Sequence, residues 1–233
     1  MRGLFITLEG LEGSGKSTHA PRLAEHLRAS GLSVLQTREP GGTTIGDQIR
    51  RMLLDDRHRN MKPVTEMLLF AASRAQFVRE VVEPTLARGI TVVSDRYVDA
   101  SLAYQGFGRG IDREVVRQVN DVATGGLLPE LTLLLDIEPS IGLGRVRVAQ
   151  REEGMKQVPL AEASWWPIPA DRGDRLEQEK RAFYERVRAG FLQLARESPQ
   201  RFVVIDAMGD FESVHQHIMR AVERFLAERR VTS

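Results

Sequence analysis

The chain of 233 residues contains no cysteine. That excludes a disulfide framework, a thiolate nucleophile and any zinc site built on cysteine, and it suits a cytoplasmic protein. Net charge is almost absent as well. Lys and Arg number 33 against 32 Asp and Glu, leaving +1, so no global field draws the molecule to nucleic acid or to a membrane surface. Long apolar runs are missing. Leu4–Leu8 falls far short of the ~20 residues that span a bilayer, and no basic flank and long apolar run mark a secretion signal. Internal repeats, low-complexity tracts and the N-K-x-D tetrapeptide of GTPases are also lacking. The one D-x-x-G, Asp206–Gly209, follows the last expected strand and is out of place for a switch. What remains, 42% hydrophobic and 28% charged, is the composition of a soluble globular protein, long enough for one large domain over residues 1–233.

Against that background one stretch stands out. Gly10, Leu11, Glu12, Gly13, Ser14, Gly15, Lys16 and Ser17, with Thr18 behind them, match G-x-x-x-x-G-K-[ST] at every defined position. A strand pattern precedes them and an amphipathic pattern, Lys16–Ser30 with Leu23 and Leu27 on one face, follows. A strand feeding a glycine-rich turn that opens a helix aims several backbone N–H groups at one point, and the helix dipole adds to them. These nine residues are therefore expected to hold a nucleoside triphosphate, with Lys16 at the β/γ-phosphates and the Ser17 hydroxyl on Mg²⁺.

Strand-like runs at Leu4–Leu8, Ser33–Arg38, Thr91–Asp95, Leu131–Asp136 and Arg201–Asp206 alternate with helical patterns at Ile45–Leu54, Val64–Val82, Asp112–Ala123 and Phe211–Arg229. Continuous apolar strands alternating with helices predict an α/β fold with a parallel sheet covered on both faces. Ligands of such a sheet lie beyond the carboxyl ends of its strands. Gly10–Thr18, Arg38–Thr43, Asp95–Tyr97 and Asp136–Pro139 all start there and should converge on one crevice. One segment breaks the rhythm: Arg151–Gly173, which carries Trp165-Trp166-Pro167-Ile168-Pro169 and no periodicity. It is expected to form a lid over roughly residues 145–178, with an insertion at 152–172, closing basic side chains over phosphates. Arg145, Arg147, Arg151, Arg172 and Arg175 flank it.

A glycine-rich phosphate loop serves GTPases, motors and small-molecule kinases alike. The absent switch motifs and the modest length leave a compact phosphotransferase with an arginine-rich second site. Arg38, Arg74 and Arg96 are permanently charged forks suited to an acceptor phosphate. Asp95 is placed to hold Mg²⁺ through water or to accept from the arginines. Glu12, a carboxylate beside a triphosphate, is electrostatically unfavourable there and implies a separate partner.

In order and spacing, Gly10–Thr18, Arg38-Glu39-Pro40-Gly41-Gly42-Thr43, Asp95-Arg96-Tyr97, Ser101-Leu102-Ala103-Tyr104-Gln105-Gly106 and Asp174-Arg175-Leu176-Glu177-Gln178-Glu179 resemble bacterial thymidylate kinases. The likeness runs from about Arg2 to the last helix. It implies a P-loop fold with a five-stranded parallel sheet and a lid, transfer of the γ-phosphoryl of ATP to dTMP with Mg²⁺, and a homodimer. It further implies that Arg38 and Arg96 hold the dTMP phosphate and Arg74 approaches base and phosphate. Phe70 would stack on thymine, Glu12 would accept from the 3′-OH, and Tyr104 would crowd the sugar 2′ position. Ser101 and Gln105 would line the nucleoside pocket, and a cis peptide would precede Pro40. Spacing alone assigns Phe70 to the core. With Gly13 at the variable loop position, the resemblance is to members that bring a catalytic arginine from the lid. The third arginine of the usual Arg-x-Arg-x-Arg run is replaced by Ala149, so Arg147 or Arg151 is the candidate. A kinase for another nucleoside monophosphate is disfavoured by Tyr104 and the Arg38–Thr43 loop. An inactive nucleotide-binding regulator is disfavoured by the presence of Lys16, Ser17, Asp95 and Arg96.

Overall fold

The computed structural model describes residues 2–155, 175–176 and 179–232, without the side chains of Arg147, of residues 149–155 and of residues 230–232. In chain order the elements are β1 (Phe5–Gly10), α1 (Lys16–Ala29), β2 (Val34–Arg38), α2 (Thr44–Leu54), α3 (Pro63–Phe77), α4 (Glu83–Ala87), β3 (Thr91–Asp95), α5 (Val98–Ser101), α6 (Arg113–Thr124), β4 (Leu131–Asp136), α7 (Pro139–Met155), α8 (Arg181–Glu197), β5 (Phe202–Asp206) and α9 (Phe211–Thr232). Wide π turns at Val78–Val82 and Leu102–Gly108 extend α3 and α5.

The five strands form one parallel sheet in the order β2-β3-β1-β4-β5. The predicted α/β architecture is therefore present, with β1 at its centre. Every residue of β1 is buried, whereas the edge strands β2 and β5 are only partly covered, as apolar content ranks them. Ile6 and Leu8 of β1 join a core with Leu23 and Leu27 of α1, Val187 and Phe191 of α8 and Ile218 and Val222 of α9. Phe5 enters a second core with Phe77, Val82, Leu86 and Val92.

Two expectations are corrected. Arg151–Gly173 does not begin as a loop, because α7 runs on to Met155; the rest of that stretch, with Trp165, Trp166 and Arg172, lies outside the described residues. Asp136–Pro139 does not bring its carboxylate to the crevice: Arg188 of α8 takes both Asp136 oxygens, at 2.7 and 2.8 Å.

Candidate active site

The loop from Leu11 to Gly15 joins β1 to α1, and its backbone requires glycine. Gly13 and Gly15 sit at φ 72° and 95°, where a side chain is strained. Gly13 also has no room for a Cβ, which would lie 2.1 Å from the backbone oxygen of Gly142 in α7. The phosphate loop is thus seated directly on the first turns of α7. An arginine at position 13 would not fit this arrangement.

A cleft of about 770 Å³ opens at the carboxyl ends of the strands. Glu12, Gly13, Ser14, Gly15, Lys16, Ser17 and Thr18 line one end; Arg38, Pro40, Phe70, Asp95, Arg96, Ser101, Tyr104 and Gln105 line the rest. Gly10 and Leu11 do not line the cleft. Lys16, nearly buried, donates to Leu11 O at 2.7 Å and Ser14 Oγ at 3.3 Å. Burial, then Arg96, lowers its pKa to about 8, a field that an incoming polyphosphate would reverse. Ser17 is exposed at the first turn of α1. The Glu39-Pro40 peptide is cis, and the Pro40 carbonyl accepts from Arg50 at 3.0 Å.

At the centre three side chains satisfy one another. Arg96 donates to Glu12 Oε1 at 2.9 Å and to Gly10 O at 3.1 Å, and its guanidinium lies 4.9 Å from the Tyr104 ring centroid. The Tyr104 hydroxyl donates to Glu12 at 2.7–2.8 Å. Burial works against the Arg96 charge, but Tyr104, Glu12 and Asp95 outweigh it and its pKa rises. Burial keeps the Tyr104 hydroxyl protonated far above its usual range. Glu12 therefore has two partners that offset its position beside a phosphate site.

Arg74 is the residue whose surroundings depart most from the expectation. It is buried and does not line the cleft. Its guanidinium pairs with Glu39 at 2.7 Å and donates to Ser101 Oγ at 2.9 Å, to Tyr97 O at 3.2 Å and to Asn120 Oδ1. Phe70, one turn earlier, packs with Leu53 and Leu176 and also faces the cleft. Gln105 donates to Glu66, which in turn binds Arg109 and Arg175 at 2.9 and 2.7 Å. Burial would raise the Glu66 pKa, but the Arg109 and Gln105 hydrogen bonds and Arg175 bring it below its usual value. The side chains of Arg147 and Arg151 lie outside the described residues. Arg145, on the same helix, lines the cleft and donates to the carbonyls of Ala207, Met208 and Gly209.

The sequence reading missed the end of the cleft beyond Thr18. There the His19 ring stacks on Phe211 with centroids 4.6 Å apart and planes 4° from parallel, and His215 continues the stack. Burial, His215 and Arg145 lower the His19 pKa to about 4, so the imidazole is neutral. Arg50 was also missed. A histidine one turn into a helix and an arginine on an amphipathic surface carry no motif; only the fold sets Phe211 of α9, after β5, against His19 and turns Arg50 of α2, after β2, toward the cleft.

The arrangement offers a phosphate cradle at one end, fixed guanidinium charge at the middle and a half-apolar pocket at the other. Comparison with known proteins agrees. The family model described as "Thymidylate kinase" matches residues 8–162. The chain is 48% identical over 221 residues to a thymidylate kinase of Desulfosudis oleivorans, covering 95% of this chain and 97% of that one. It is 48% identical over 223 residues to one from Deinococcus radiodurans, again covering 95% and 97%. Among solved structures, a thymidylate kinase from Ehrlichia chaffeensis superimposes with a TM-score of 0.71 at 29% identity, covering 96% of this chain and 99% of that one.

Proposed function

Because the chain belongs to the thymidylate kinase family, transferring the γ-phosphoryl group of ATP to dTMP to give dTDP and ADP, we propose that the cleft divides this transfer between a donor end and an acceptor end. Gly10 to Thr18 cradle the ATP phosphates, and the His19–Phe211 wall receives the base beyond them. Lys16 follows the γ-phosphoryl group and stabilises the charge that develops on it. Arg38 and Arg96 hold the dTMP phosphate in line with the donor, which is most of what such a reaction asks of a protein. Glu12 accepts from the sugar 3′-OH, Tyr104 blocks a 2′-OH, and Phe70, Ser101, Gln105 and Pro40 enclose the thymidine. Arg74 acts from behind, by fixing Ser101 and the Glu39-Pro40 turn. The single observation that carries this reading is that Arg96 and Tyr104 hold Glu12 of the phosphate loop in the same cleft that Phe70 lines.

Mg²⁺, when bound, would supply positive charge against the transferring phosphates. The Ser17 hydroxyl and Asp95 carboxylate, hard oxygen donors lining the cleft, fit it. Residues 145–178 serve as the lid, with Arg147 or Arg151 supplying charge to the transition state. Replacing the right one with Ala should depress kcat about 10³-fold with little change in KM, the other only slightly and in a salt-sensitive way. The reading extends to a homodimer and a cytoplasmic location. Separately, no helix among the described residues is long and apolar enough to cross a membrane.

ADP release measured across dTMP, dUMP, UMP, CMP and AMP, with and without Mg²⁺, tests the whole. Fastest turnover on dTMP, lost without Mg²⁺, is expected. Equal rates on UMP would sink the acceptor assignments, and turnover without a divalent ion would sink those of Ser17 and Asp95.

A further inference from the structure

Among the described residues, Arg96 is the only non-glycine residue at positive φ, 72°. Such a backbone is costly for a residue with a Cβ and persists only where its surroundings impose it. Three contacts do so. The Arg96 N–H donates to Leu8 O at 3.0 Å, and Ser94 Oγ donates to the Arg96 carbonyl at 2.9 Å. The next amide, that of Tyr97, donates to Glu9 Oε1 at 2.7 Å, with the Ala100 amide reaching the same oxygen at 3.3 Å.

Glu9 is fully buried in β1 and does not line the cleft. Its other oxygen, Oε2, has no hydrogen-bond partner. A carboxyl group placed there at such a desolvation cost is explained by what Oε1 does. No side chain caps α5 locally; Glu9 reaches across from the neighbouring strand and takes the two amides instead. It thereby fixes the peptide on the C-terminal side of Arg96, while Ser94 fixes the carbonyl between them. Without that anchor the residue can relax toward ordinary φ. Its guanidinium would then leave the position between Gly10 O and Glu12 Oε1.

We propose that Glu9 is a positioning residue for phosphoryl transfer: by accepting from the Tyr97 and Ala100 amides it locks the left-handed turn that aims Arg96 across the cleft, with Ser94 as the lesser support. This rests on Arg96 holding the acceptor phosphate. It assigns a kinetic role to a side chain that touches neither substrate.

Steady-state kinetics of the full chain with ATP and dTMP test it, on Glu9→Leu, Glu9→Gln, Ser94→Ala, Arg96→Ala and the double variant Glu9→Leu/Arg96→Ala. Glu9→Leu removes the acceptor and should lower kcat about 10²-fold with the ATP KM changed less than about threefold. Glu9→Gln, which can present an amide oxygen to the same amides, should recover to within about tenfold of wild type. A guanidinium already removed cannot be misplaced, so the double variant should match Arg96→Ala within about threefold. Losses that multiply overturn the proposal, and so does a Gln variant as slow as Leu. If Glu9→Leu does not fold, Ser94→Ala carries the same comparison. Its loss of about fivefold should vanish in the Arg96→Ala background, and a persistent loss there overturns the proposal. Arg96→Ala at wild-type speed would remove the reading of Arg96 together with the proposal. A slow Arg96→Ala beside a fast Glu9→Leu would remove the proposal alone.

Discussion

Tyr104 does two separable things at one position. Its ring fills space beside the Arg96 guanidinium, and its hydroxyl donates to both Glu12 oxygens at 2.7–2.8 Å. If the ring excludes a 2′-OH, Tyr104→Ala should narrow the ratio of kcat/KM for dTMP over its ribose counterpart, while Tyr104→Phe should keep that ratio. The Phe variant should still lose about tenfold in kcat, since one donor to a charged group is removed. An unchanged ratio in the Ala variant would show that another residue is the gate. Glu9 offers a test of a different kind. Burial, then Asp99, raises its pKa to about 8 from an ordinary 4.5, against the opposing charges of Arg96 and Lys16 and the Tyr97 hydrogen bond. The folded chain holds that proton more tightly than the unfolded one. The stabilisation is therefore complete below about pH 4.5 and fades as pH rises through 8. Glu9→Gln cannot lose a proton there. Its melting temperature relative to wild type should rise steadily from pH 5 to pH 8.5; parallel curves would mean that Glu9 stays ionised in the fold.

At the scale of elements, the phosphate loop and α7 meet with no room for a side chain between them. A Cβ on Gly142 would meet Glu12 O at 2.4 Å, whereas one on Gly144, in the same helix, would meet nothing within 4 Å. Gly142→Ala should therefore cost about 1–3 kcal/mol and raise the KM for ATP by displacing the loop. Gly144→Ala should be stabilising by about 0.5–1 kcal/mol, as for a helix interior with room for a Cβ. Thermal melts and ATP titrations of the pair decide it, and equal behaviour would mean that α7 shifts freely on the loop. That contact was not legible in the sequence, and neither was α7, whose Arg145-Val-Arg147-Val run alternates where a helix should repeat every 3.6 residues. The turn of Val98–Gly108 was likewise read as motif and not as helix, because Gly106 and Gly108 mask it. By contrast, α8 shows Phe183, Tyr184, Val187, Phe191 and Leu194 buried at helical spacing, a pattern the sequence reading left unassigned. The strands and the phosphate loop were legible because local chemistry decides them: β-branched runs ending in turn residues, and glycines where φ is positive. Arg74 shows the opposite case. Its partners Glu39, Ser101 and Asn120 come from 27 to 46 residues away, and only the fold reveals that its guanidinium is saturated.

At the scale of the whole molecule, two contacting helices carry aliphatic side chains that the described fold does not cover. Val64 and Leu68, one turn apart on α3, are 55% and 52% exposed, and Val115 and Val122 on the adjacent α6 are 44% and 86% exposed. These residues lie away from the cleft, and none of them lines it. Scattered exposed aliphatics need no explanation, but four on two contacting helices are a candidate for pairing with another surface. A second copy related by a two-fold axis would present the same patch, so each helix pair would cover the other. This is the face on which the proposed homodimer should form. Two buried charges per subunit would oppose it strongly, since each 1.4 kcal/mol lost is about tenfold in the dissociation constant. Leu68→Glu combined with Val122→Glu should therefore sediment as a 26.2 kDa monomer, with wild type sedimenting at twice that mass. Because both side chains are exposed within one subunit, the variant should keep its fold by circular dichroism. A variant that remains dimeric would move the interface elsewhere, and a monomeric wild type at micromolar concentration would remove the dimer altogether.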